Sequence, residues 1–109
     1  MTEPATLIYI TTANKEEAIS ISRALLAERL VACVNIMDHV LSMYWWMGEI
    51  EHNAEAVIIV KTRTSLQNLV ISKVKSLHSY DVPAIVCIPM TDGNPDFVDW
   101  ITAETTPKS

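Results

Sequence analysis

The chain has 109 residues, about half of them apolar, which is the size and composition of a single domain with one core. Thirteen acidic residues against eight Lys and Arg give a formal charge of −5 spread along the sequence, so nucleic acid, whose nonspecific recognition relies on clustered positive charge, is not an expected partner. No apolar run approaches the roughly 20 residues of a membrane helix, and the N-terminus lacks the basic-then-apolar order of a signal peptide; no membrane insertion and a cytoplasmic setting are expected.

Only Gly48 and Gly93 punctuate the sequence, and no linker or repeat divides it, so one domain is expected over 6–103, with flexible termini at 1–5 and 104–109. Residues 7–12 (Leu7-Ile8-Tyr9-Ile10-Thr11-Thr12) are short, β-branched and nearly all apolar, the pattern of a central strand covered on both faces. Asn14 and Glu17 form a capping box, and Ala18, Ile21 and Leu25 share one face of a helix over 15–29. A second strand runs from about 32 to 46 and is disturbed at Asp38-His39, which predicts a bend or bulge. Met47-Gly48 is the place for a tight reversal, followed by a third strand within 49–62 that is strongest at Ala56-Val57-Ile58-Ile59-Val60. Thr64 and Gln67 suggest a second capping box, and Leu66, Leu69, Val70, Val74 and Leu77 mark the clearest helical stripe of the chain. Pro83 introduces a buried-type strand over 84–89, and Pro89 suggests that it is ending there or lying near a sheet edge. Asn94-Pro95 then supplies an N-cap and a first-turn proline to a short helix with Phe97, Trp100 and Ile101 on one side.

The order βαββαβ plus a short C-terminal helix predicts an α+β, ferredoxin-like fold, an antiparallel sheet with two helices on one face. Alternation puts Tyr44 and Trp46 on one face of the second strand and Trp45 on the other. A hairpin with aromatic side chains on both faces is more than one small domain can cover, so it is expected to pack against neighbouring subunits.

Several segments taken together resemble the CutA family of divalent-cation tolerance proteins. They are Ala32-Cys33-Val34-Asn35-Ile36, Ser42-Met43-Tyr44-Trp45-Trp46-Met47-Gly48-Glu49-Ile50, Glu55, Lys61-Thr62 and Ser76-Leu77-His78-Ser79-Tyr80-Asp81-Val82-Pro83, then Pro89-x-Thr91-x-Gly93 and Phe97-x-x-Trp100. The resemblance implies a ferredoxin-like fold, a PII-like homotrimer, and binding of copper or another divalent metal ion in the response to metal ions. A cysteine that some members carry at the end of the first strand falls here on Thr11, and a His-His pair near the end of the second helix is reduced to Leu77-His78.

Candidate site residues follow from chemistry. His78 is either a metal ligand or a hydrogen-bonding partner that fastens the connection after the second helix. Glu55 and Lys61, six positions apart, face the same side of their strand; with Tyr44, Trp46, Tyr80 and His78 they could line an inter-subunit pocket, or form an ordinary ion pair. Cys33 is a soft donor with Met37, Met43 and Met47 as thioether neighbours, or else a small core residue. Asp92, Asp96 and Asp99 are explained by helix capping. Two glycines allow neither a P-loop nor a dinucleotide fingerprint, and no nucleophile motif is present, so no enzyme is expected; a hydrolytic cleft using His78, Glu55 and Lys61 is the residual alternative. No cofactor is expected to be required for folding, and the sequence specifies no protein partner.

Overall fold

The computed structural model describes residues 3–106. In chain order it contains β1 (Ala5–Thr12), α1 (Lys15–Ala27), β2 (Cys33–Trp46), β3 (Glu49–Arg63), a 3₁₀ turn (Thr64–Leu66), α2 (Gln67–Leu77), β4 (Ile85–Pro89) and α3 (Pro95–Glu104). The strands form one sheet in the order β2-β3-β1-β4 with every neighbouring pair antiparallel, the ferredoxin-like topology. Ile8 and Ile10 of β1 and Ala56, Ile58 and Val60 of β3 point to the helical side, where Ile21 and Leu25 of α1 and Val70 and Val74 of α2 close the core over them.

Local chemistry accounts for the helix ends. The Asn14 side chain accepts from the Glu17 N–H at 2.8 Å, and the Glu17 carboxylate accepts in turn from the Ala13 N–H at 2.9 Å. Helix α1 stops at Ala27, two residues before the expected end, because Arg29 turns left-handed (φ 55°) and the N–H groups of Arg29 and Leu30 bond back to Leu26 and Leu25. Asn94 caps α3 through the Asp96 N–H, with Pro95 in the first turn as expected.

Two expectations need correction. The capping box at Thr64 and Gln67 does not form; the 3₁₀ turn occupies that stretch and α2 begins without a side-chain cap. The stripe on α2 is narrower than the sequence suggests, since Val70 and Val74 are buried while Leu69 and Leu77 are exposed. The segments beside the chain ends make contacts with the rest of the fold. Ala5 is buried in β1, the Thr64 N–H bonds the Pro4 carbonyl at 2.8 Å, and Arg63 binds both Glu3 and Thr105. Residues 1, 2 and 107–109, where flexibility was also expected, lie outside the described residues.

Beyond Ala56, which pairs with Thr12 at the end of β1, β3 continues with β2 as a two-stranded hairpin. This overhang, Glu49 to Glu55, is seven residues, or roughly 23 Å at the rise of an extended strand. Met47 (φ 50°) and Gly48 (φ 80°) make its two-residue turn, both in the left-handed region that such hairpin turns require.

Candidate functional site

The site lies where the hairpin leaves the four-stranded core. At that point β2 carries one extra residue: Met37 pairs with Val57 but Val40 pairs with Glu55, and His39 takes a positive φ of 58°. The bulge reverses the parity of β2. Before it Cys33, Asn35 and Met37 lie opposite odd-numbered residues of β3; after it Ser42, Tyr44 and Trp46 do, opposite Asn53, Glu51 and Glu49. Tyr44 and Trp46 therefore share with Glu55 the sheet face turned away from α1 and α2.

A cleft of about 520 Å³ opens on that face. Tyr44, Trp46 and Asn53 of the hairpin line one side, and Tyr80, Asp81 and Val82 of the connection between α2 and β4 line the other, with Glu55 and Thr11 also in the lining. The Tyr80 hydroxyl donates to Glu55 Oε2 at 2.7 Å across it. Glu55 is only 8% exposed, and Tyr80 is its one hydrogen-bond partner among the described residues. Burial, reinforced by the Glu55 carboxylate, pushes the Tyr80 phenol well above its ordinary range, so it stays protonated and remains a donor.

His78 fixes the wall that carries Tyr80. Its Nε2 lies 2.7 Å from the Thr11 carbonyl, which can only accept, so Nε2 holds the proton; Nδ1 is then free to accept from the Tyr80 N–H at 3.0 Å. Both ring nitrogens are engaged and the neutral tautomer is defined. The imidazole also packs on the Tyr80 ring, with centroids 4.8 Å apart. Glu17 supports the same turn by accepting from the Ser79 N–H at 2.8 Å.

The sequence-derived set is thus brought together in part. Tyr44, Trp46, Glu55 and Tyr80 line one cleft, and His78 stands behind it. Lys61 does not join them: six positions along β3 from Glu55, it is roughly 20 Å away and bonds the Asn35 side chain. The expected hydrolytic grouping of His78, Glu55 and Lys61 is accordingly not assembled within the chain. Cys33 pairs with Lys61 at the far end of β2, and it and Cys87 sit on strands at opposite edges of the sheet, both free thiols. Three strand spacings, roughly 14 Å, separate those edges, too far for a disulfide. No group of three His, Cys, Asp or Glu side chains able to hold a metal ion occurs among the described residues. The residues expected as ligands, His78 and Cys33, belong to no such group among the described residues.

Thr11, Asn53 and Asp81 were not expected in the pocket, although Thr11 and Asp81 lie in or at segments that carry the family resemblance. Asn53 had a signal, its two-residue offset from Glu55 on the same strand. For Thr11 and Asp81 no spacing pointed to the cleft, because the pairing of β1 with β3 and the path of the loop bring them there.

Comparison with known proteins gives a consistent result. The family model described as CutA1 divalent ion tolerance protein matches residues 6–104. The divalent-cation tolerance protein CutA of Thermus thermophilus is 40% identical over 99 residues, covering 91% of this chain and 96% of that protein. The chloroplastic protein CutA 1 of Oryza sativa is 38% identical over 104 residues, 95% of this chain, which spans 59% of the length of that relative. The crystal structure of a divalent ion tolerance protein CutA1 from Ehrlichia chaffeensis superposes with a TM-score of 0.93 at 38% identity, covering 98% of this chain and 99% of that one. No helix among the described residues is long and apolar enough to cross a membrane.

Proposed function

Because the chain belongs to the CutA1 divalent ion tolerance family, we propose that it acts in the response to metal ions as a homotrimer that binds copper or another divalent cation. The observation that carries the assembly is the hairpin overhang, whose Leu41, Met43, Trp45 and Ile50 are exposed although apolar. Metal ligation is then completed between subunits, since one chain offers no three-ligand site among its described residues. Of the two expected ligands, the Cys33 thiol is outside any disulfide, whereas His78 would have to give up at least one of its two hydrogen bonds to coordinate an ion. Two free thiols accord with a reducing, cytoplasmic setting.

Calorimetric titration with Cu(II) and Zn(II) tests this reading. The expected result is saturable binding at micromolar levels and a raised melting temperature. Binding should weaken on Cys33→Ser, whereas His78→Ala should lower the melting temperature without changing the metal stoichiometry. If neither ion binds nor shifts the melting temperature, the metal role is wrong.

A second reading is favoured by the cleft itself. Its volume of about 520 Å³ is that of a small-molecule site and not of a bare ion, which supports a PII-like signalling or scaffold protein with a ligand at the subunit clefts.

A further inference from the structure

We infer that the cleft at the root of the hairpin binds a small organic cation, an ammonium or guanidinium compound, held by the Glu55 carboxylate and the aromatic rings around it. The inference rests on the second reading above, that the cleft takes a small ligand, and is independent of the metal role.

Charge is the first argument. The lining contains two carboxylates, Glu55 and Asp81, and no Lys, Arg or His. Glu55 is more than nine-tenths buried, yet its only hydrogen-bond partner among the described residues is the neutral Tyr80 hydroxyl on Oε2. A buried carboxylate left without a positive partner is costly, and a cation entering the cleft would supply that partner. The one lysine on the same face of β3, Lys61, is held by Asn35 six positions away.

The second argument is the chemistry of the walls. Tyr44 and Trp46, turned to this face by the bulge, stand on one side of the carboxylate and Tyr80 on the other. Aromatic faces attract cations, Trp most strongly, and they favour soft, weakly hydrated organic ones. Two carboxylates are short of the three His, Cys, Asp or Glu side chains that would make a metal site, and no such group occurs among the described residues. A nucleotide or other phosphate meets two carboxylates and no cationic group in the lining. The ligand class is therefore opposite in charge to a nucleotide.

Calorimetry on the assembled full-length protein tests the inference, with choline and agmatine as probes. The uncharged 3,3-dimethyl-1-butanol, of the same shape as choline, is the control, and ATP is the anionic competitor. At least one of the two cations should saturate the site below about 10 mM, roughly tenfold tighter than the alcohol. Glu55→Gln, which still offers Tyr80 an acceptor, should weaken cation binding about tenfold, and Trp46→Leu about threefold. Should Glu55→Gln fail to fold, Trp46→Leu decides, because that ring is already more than half exposed. The inference is overturned if neither cation saturates, if the alcohol binds as tightly, if both variants bind like the parent, or if ATP is preferred. A neighbouring subunit that supplies its own Lys or Arg to Glu55 would give the first of these outcomes. Zinc titration of the same preparation separates the two proposals, since intact metal binding beside a silent cleft removes only this one.

Discussion

Ser22 lies on the buried face of α1, and its hydroxyl has no hydrogen-bond partner among the described residues. A buried, unsatisfied hydroxyl costs free energy, and alanine is the better helix former, so Ser22→Ala should stabilise the protein by about 1 kcal/mol, read as a higher urea midpoint. Glu17 shows the opposite case of a polar group put to use. Burial raises its pKa, but the N–H groups of Ala13 and Ser79 outweigh that and hold the carboxyl below its ordinary 4.5. A depressed carboxyl pKa contributes stability that is fully present above the unfolded value and is lost as pH falls through the folded one. The stability gap between the parent and Glu17→Gln should therefore be constant near neutral pH and shrink as pH falls below the ordinary carboxyl value of 4.5. A gap that stays the same at all pH values would mean that the charge on Glu17 contributes nothing to fastening the 78–80 turn.

At the scale of elements the hairpin is governed by two local irregularities. No atom lies within 4 Å of a Cβ built on Gly48, so a side chain there has room, and the penalty of Gly48→Ala comes from the positive φ alone, about 1 kcal/mol. Met47→Asn, which places a left-handed former beside it, should be neutral or stabilising in the same thermal melt; a loss equal to that of Gly48→Ala would refute the assigned turn. Glycine and the Asp38-His39 interruption are local signals, and both the turn and the bulge were legible in the sequence for that reason. So were the six main elements and the N-caps of α1 and α3. What the bulge does to the far half of β2 was not legible, because alternation counts residues and cannot say which ones are skipped by the ladder. The same blindness explains Lys61: periodicity gives its face on β3 correctly but not the distance from Glu55. On α2 the 3₁₀ turn precedes the helix and the sheet covers only Val70 and Val74, so an apolar stripe overstated the buried face. Tyr44, Trp46, Glu55 and Tyr80 could be proposed from chemistry and spacing, whereas Thr11 and Asp81 enter the cleft only through contacts distant in sequence.

The whole molecule extends 48 × 28 × 21 Å, elongated along the hairpin. Two of its exposed apolar patches matter for assembly. One is the overhang, where Trp45 is 73% exposed and pairs directly across the ladder with Ile50 at 60%. The other is the edge strand and the helix beside it, where Val86 and Ile88 of β4, on the sheet face turned away from α1 and α2, and the stacked Phe97 and Trp100 of α3 are all partly uncovered. Two different patches on one chain favour a head-to-tail contact, in which the hairpin of one copy covers the sheet of the next, and such contacts close into rings when the rotation allows. Fully burying a large apolar side chain is worth about 1.5–3 kcal/mol, so a few such residues per contact supply a substantial gain. Light scattering at micromolar concentration should accordingly give about three times the 12.2 kDa of one chain. Trp45→Glu combined with Ile50→Glu leaves the core and the lining of the cleft untouched but places two like charges opposite each other on the hairpin. That variant should elute as a monomer with its circular dichroism retained. A parent protein that is already monomeric, or a double variant that still assembles, would show that the hairpin is not the surface through which the subunits meet.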